Sequence, residues 1–132
     1  MAGSLASKTT AAGSRLDVLT AFDELWDYVL VVVSGKNMPN YMRYSIGEEI
    51  INELKQVGWY VQSANLSRNQ GFRKAMMIKA DQLFKQVKFD CNLMLRCKAL
   101  SARRAHLYEL EVKFGRLLGG WLNSCIQQRY EM

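Results

Sequence analysis

The segment Phe72–Lys98 reads FRKAMMIKADQLFKQVKFDCNLMLRCK, and its apolar residues decide the fold class. Met76, Ala80, Leu83, Val87, Cys91 and Met94 recur at steps of four, three, four, four and three. Steps of three and four return to one face of a helix, so these residues form a core stripe. No Gly or Pro interrupts the segment, and a third helix is expected from about Phe72 to Lys98.

The same period continues on both sides. Leu19, Phe22, Leu25, Trp26, Val29 and Val33 predict a first helix from about Asp17 to Val33, with Asp17, Asp23, Glu24 and Asp27 early, where the positive end of a helix dipole favours them. The β-branched run Val29–Val33 leans towards strand, yet the period from Leu19 is unbroken. Ser34-Gly35 reads as a stop, followed by a loop to Asn40. Arg43, Ile46, Ile50, Leu54, Val57, Val61 and Ala64 predict a second helix from about Tyr41 to Ala64, and residues 65–71 read as a loop. Leu107, Leu110, Phe114, Leu117, Leu118, Trp121 and Cys125 predict a fourth helix from about Arg103 to Gln127, with Ser101 as its N-cap.

Four amphipathic helices with short links predict an all-α fold, an antiparallel up-down four-helix bundle. The alternative is another small all-α fold whose helices cross more steeply. The 132-residue length favours one domain. Residues 15–132 are assigned to it, and Met1–Ser14, rich in Ala, Ser, Thr and Gly, to a flexible tail. No apolar run approaches the roughly 18–20 residues that span a bilayer. The tail has no apolar stretch of the secretory kind, and three widely spaced cysteines (Cys91, Cys97, Cys125) suit reduced thiols. A cytoplasmic protein is expected.

The formal net charge of +6 is unevenly spread. Residues 1–64 hold five Lys/Arg against seven Asp/Glu, and residues 65–132 hold thirteen against five. On the third helix Lys74, Lys85, Lys88 and Arg96 fall within a sector of about 80° opposite the core stripe. Asn92 shares that sector, and Asp81 interrupts it. Lys85 and Lys88 are both expected to be exposed. Arg68, Arg73, Lys98, Arg103 and Arg104 extend the charge at the helix ends. Such a ridge suits phosphates and carries no base information, so RNA and DNA are expected partners without strong sequence preference. The competing reading is a solvated face that keeps a structural bundle soluble.

Apolar residues off the core stripe imply a second covered surface. Met77, Ile78, Phe84 and Phe89 fall there, and Trp59 lies on the polar side of the second helix. A homo-oligomer covers such a surface. Gly115 and Gly119 share a face and would let another helix approach closely. No catalytic or metal site emerges: His106 is the sole histidine, no CxxC pair occurs, and Glu48-Glu49 with Glu109 and Glu111 lack the paired Glu-x-x-His motifs of di-iron bundles. No cofactor is expected. The segment Gly115–Trp121 lacks the ending of a phosphate-binding loop, and no strand precedes it.

The stretch Glu111-Val112-Lys113-Phe114-Gly115-Arg116-Leu117-Leu118-Gly119-Gly120-Trp121-Leu122 resembles the accessory variability determinant proteins of diversity-generating retroelements. Those small basic four-helix bundles carry Gly-Arg-(Leu/Ile)-Leu-Gly-(Gly/Ser)-Trp in the last helix, and Met94-Leu95-Arg96 is similar as well. Helix order, length and charge fit over about residues 17–127. The bundle layout is shared with four-helix proteins encoded in ribosomal-RNA intervening sequences. The resemblance implies a phage- or bacterium-encoded homopentamer that associates with the element's reverse transcriptase and template RNA. It would support mutagenic reverse transcription and sequence diversification while the polymerase does the chemistry. Arg116 of the motif points away from the core stripe, so it is expected at an interface or on nucleic acid.

Overall fold

Each of the four apolar stripes folds as a helix. The computed structural model describes the backbone of residues 10–131 and the side chains of residues 15–126. The long helices are α1 (Thr10–Ser34), α2 (Glu48–Leu66), α3 (Gln70–Met94) and α4 (Arg104–Glu131), with no strand among the described residues. A single α-turn (Asn40–Met42) and a π-helical turn (Arg43–Gly47) lead into α2, and a 3-10 segment (Lys98–Arg103) leads into α4. Residues 10–14, expected in a flexible tail, are helical backbone in α1. Residues 1–9 of that expected tail lie outside the described residues.

Each helix packs mainly on two others: α1 on α4 and α2, and α3 on α2 and α4. They enclose one core. It holds Leu25 and Val29 of α1, Ile50, Leu54 and Val57 of α2, Phe84, Val87 and Met94 of α3, and Leu107, Phe114 and Leu118 of α4. Val29, Val32 and Val33 are buried in helical backbone, so tertiary packing overrides the strand leaning of that run. No helix of the described residues is long and apolar enough to cross a membrane.

Two helices are rotated from their expected faces. On α1, Val18 and Ala21 point inward, while Leu19, Phe22 and Trp26 are half-buried at the rim. Gly58 of α2 explains this placement. A Cβ there would lie 2.5 Å from Cζ of Phe22, so the missing side chain is the seat of the ring. On α3, Met77 and Phe84 were expected at an oligomer surface, and both are buried core residues. Gly115 explains Phe84: the position of its absent Cβ is 3.3 Å from the Phe84 ring edge. The ring also meets Phe114 edge-on, centroids 4.8 Å apart, and truncating such a buried ring to Ala costs about 3–5 kcal/mol. Met77 packs on Cys125, sulfur to sulfur 3.7 Å.

The links differ in detail from expectation. Asn69 caps α3, its Oδ1 accepting from the Phe72 amide at 2.9 Å, and satisfies one of the free N–H groups at a helix start. α3 ends at Met94, short of Lys98, because Arg96 and Cys97 bond back to Leu93 and Met94 in a tight turn. Leu100 then drops into the core, 2 % exposed. Ser101, expected to cap α4, lies within the 3-10 segment, and α4 starts at Arg104.

Candidate nucleic-acid interface

The nine basic residues expected to bind nucleic acid separate into three groups by what they touch. Arg73 and Arg104 serve the backbone. The Arg73 guanidinium donates to the carbonyls of Ala64 and Ser67, where α2 ends. Arg104 donates to the Leu95 carbonyl at 2.7 Å, where α3 ends. Such charge-assisted bonds satisfy carbonyls left free at a helix C-terminus.

A second group lies along α3. Lys85 is exposed and pairs with Asp81 at 3.6 Å. Lys88 is half-buried rather than exposed, with Nζ 5.2 Å from the centroid of the Phe84 ring. The cause is the inward turn of Phe84, one helical turn before Lys88, which draws the alkyl stem across the ring face. Lys74 is also half-buried. The ridge drawn from sequence is therefore uneven.

The third group comprises Arg68, Arg96, Lys98 and Arg103, all exposed. Arg68 sits at the α2–α3 turn. The other three flank the α3–α4 turn, where the structure adds residues the sequence did not single out. Lys36 follows α1 and approaches the 3-10 segment: the two form the walls of a cavity of about 210 Å³ lined by Val31, Val32, Gly35, Lys36, Asn37, Leu100 and Arg103. The Arg103 guanidinium lies 6.0 Å from the centroid of the Tyr28 ring, and Tyr28 meets His106 edge-on at 4.5 Å. Arg43 binds the end of α1 through Val33 O at 3.1 Å and Gly35 O at 2.9 Å. Residues 28–47 and 91–108, which build this end of the fold, contain no Asp or Glu. They hold Lys36, Arg43, Arg96, Lys98, Arg103 and Arg104. A run free of acids in two separate segments is a legible signal, but only the fold shows that the segments meet.

Carboxylates collect elsewhere. Glu49, Glu53 and Asp90 bring carboxylate oxygens within 4.8 Å of one another between α2 and α3. Gln86 donates to Glu53 Oε2 at 2.7 Å, while Glu53 Oε1 and Asp90 Oδ2 are buried without a partner. Burial and the facing Asp90 carboxyl push the Glu53 carboxyl up to about 7, so Glu53 holds its proton well above the usual carboxylate range. Glu111 of α4 is buried in the core, and burial pushes it up to about 7 as well, against the opposing pull of Lys88. Burial and the surrounding Glu111, Asp90 and Glu53 also raise the Cys91 thiol.

The residues expected at an oligomer surface also divide. Trp59 and Phe89 are exposed, Ile78 is half-buried, and Met77 and Phe84 are core. Leu93 of α3 joins the exposed set. Arg116 is exposed and lines a shallow groove between α1 and α4 with Asp17, Thr20 and Lys113. The Gly115 notch is filled by Phe84 of this same chain, whereas a Cβ at Gly119 meets no atom within 4 Å. Comparison with family models, curated proteins and solved structures finds no match to this chain.

Proposed function

We propose that this chain is a non-catalytic nucleic-acid-binding accessory protein, an antiparallel up-down bundle that acts as a homo-oligomer in the cytoplasm of a bacterium. The observation that carries the reading is the basic end of the fold: Lys36, Arg96, Lys98 and Arg103 are exposed there with no ion-pair partner among the described residues, Arg103 beside Tyr28, and the two segments that build it contain no Asp or Glu. Glu109 borders this end, its Oε2 3.7 Å from His106 Nδ1, while the four unpaired cations are open to a polyanion, whose phosphate contacts fix its position without reading its sequence. The motif Glu111–Leu122 supports a narrower role: accessory subunit to the reverse transcriptase and template RNA of a diversity-generating retroelement. Exposed Trp59, Phe89 and Leu93 supply apolar surface for contacts between copies, with five-fold assembly the expectation from the motif.

The test is fluorescence anisotropy with RNA and DNA at two salt concentrations. Each phosphate contact releases counterion, so log affinity should fall against log salt by about 0.7–0.9 per contact. Lys98→Glu with Arg103→Glu should weaken binding at least tenfold and leave helicity and oligomer mass unchanged. Lys85→Glu, already paired with Asp81, should do less. Equal affinities of wild type and double variant without salt dependence favour a structural bundle whose charge only solubilises it. The arginines spent on helix ends are the observation on that side.

A further inference from the structure

We infer that the cavity between the end of α1 and the 3-10 segment is a pocket for one unstacked nucleobase of a single-stranded nucleic acid. The inference rests on the reading of this end as a nucleic-acid interface. It names what that end takes, an unpaired nucleotide rather than only a phosphate backbone.

The cavity measures about 210 Å³, below the roughly 300–1,000 Å³ of pockets for drug-sized ligands. That room suits a single flat base and excludes a base pair. Its floor is apolar: Val32 and Leu100 are buried, and Val31 is half exposed at the rim. Its rim is polar and positive. Lys36 and Arg103 stand there, neither with an ion-pair partner among the described residues, and the Asn37 amide offers both donors and an acceptor to a base edge. A face of a base satisfies the floor, a flanking phosphate satisfies the two cations, and the amide meets the base edge. A duplex presents phosphates but keeps its bases stacked inside, so it engages the rim alone. Single strands expose both parts: proteins that hold them combine a cationic track with aromatic platforms, and a single extruded base is held between aromatic or, as at this aliphatic floor, apolar side chains.

The experiment uses the full chain and three labelled probes of equal length: a thymidine homopolymer, the same backbone with abasic residues, and a duplex. Binding is followed by anisotropy for wild type, Lys36→Glu and Val31→Met. Val31 is half exposed, so a longer, flexible side chain fills the cavity without disturbing the core. Wild type should bind the base-bearing strand at least about fivefold tighter than the abasic one. Lys36→Glu should weaken all three probes. Val31→Met should bring the base-bearing and abasic strands to near-equal affinity and leave the duplex unchanged. If wild type binds abasic and base-bearing strands equally, the pocket is overturned while the polyanion reading stands. If Val31→Met keeps the full preference, the base is held elsewhere, for instance on exposed Tyr41 and Tyr44, and the pocket is again overturned. If wild type binds none of the probes even at low salt, both the pocket and the nucleic-acid reading fall.

Discussion

Replacing Glu111 with Gln should convert a pH-dependent fold into a flatter one. Glu111 is 6 % exposed, and burial lifts its carboxyl from 4.5 to about 7 despite the pull of Lys88. The folded state therefore binds the proton more tightly than the unfolded chain. Stability from this group is fully present below pH 4.5 and is lost as pH rises through about 7. The difference of about 2.5 between the two values sets a ceiling of about 3.4 kcal/mol at 1.36 kcal/mol per unit. Relaxation and water entry around a buried carboxylate reduce that to about 1–3 kcal/mol. Gln keeps the shape of the protonated acid and never ionises. The variant should match wild type near pH 5 and exceed it by about 1–3 kcal/mol at pH 8.5, roughly 3–10 °C in melting temperature for a chain of this size. Helical circular dichroism during thermal and urea unfolding, at several pH values between 5 and 8.5, reads this directly. Glu53→Gln should remove a second part of the same slope, since Glu53 also rises to about 7 beside Asp90. A wild-type stability equal at pH 5 and 8.5, or a Glu111→Gln variant no more stable than wild type at the higher pH, would refute the reasoning.

The glycines give an opposed pair. Gly119→Ala adds a Cβ that meets no atom within 4 Å, so helix propensity should raise stability by up to about 1 kcal/mol. Gly58→Ala drives a Cβ to 2.5 Å from the Phe22 ring, and overpacking of about 1–3 kcal/mol should outweigh the propensity gain; thermal melts in the reverse order would sink both assignments. Should Gly119→Ala instead lower the oligomer mass with helicity intact, Gly119 lies at a contact between copies. Among the thiols, half-buried Cys97 should react with iodoacetamide first, and Cys91 last, because burial and nearby carboxylates suppress its thiolate. Mass mapping of native protein checks the order, and equal labelling of Cys91 and Cys97 would contradict it.

Periodicity made the four helices legible, because a stripe repeating at three and four has one stable solution in a small apolar core. It could not fix rotation to better than one residue. Leu83 and Phe84 are adjacent and both apolar, and the choice between them was made by Gly115 on another helix. The stripe turns Phe22 fully inward for the same reason: nothing in the period marks Gly58, and its role as the seat of the ring exists only once α1 and α2 meet. The π-turn Arg43–Gly47 left no periodic signature because it is one turn long. The basic end was half legible. Lys98, Arg103 and Arg104 stood out as a cluster, whereas Lys36 is isolated in sequence and gains meaning from the cavity it shares with Arg103. Glu53 and Asp90 are 37 positions apart, so no local pattern joins them.

The arginines show why net charge alone overstates a binding face. Each of the three links between long helices is closed by an arginine from the segment that follows. Arg43 reaches back to Val33, Gly35 and Met38, Arg73 to Ala64 and Ser67, and Arg104 to Leu95. In each case a guanidinium covers a carbonyl that a helix C-terminus leaves open, and at Arg43 and Arg73 the planar fork serves more than one acceptor. These three side chains are committed to the fold. Exposed charge open to a polyanion includes Lys36, Arg96, Lys98 and Arg103 at one end and Arg68 at the other, with Lys55 and Arg116 on the helix faces between. Stability and binding thus separate by residue: Arg→Lys at the three links should loosen the turns, whereas Lys→Glu at the basic end should alter affinity alone. That separation is what makes an interface reading of this basic protein testable against a merely soluble bundle.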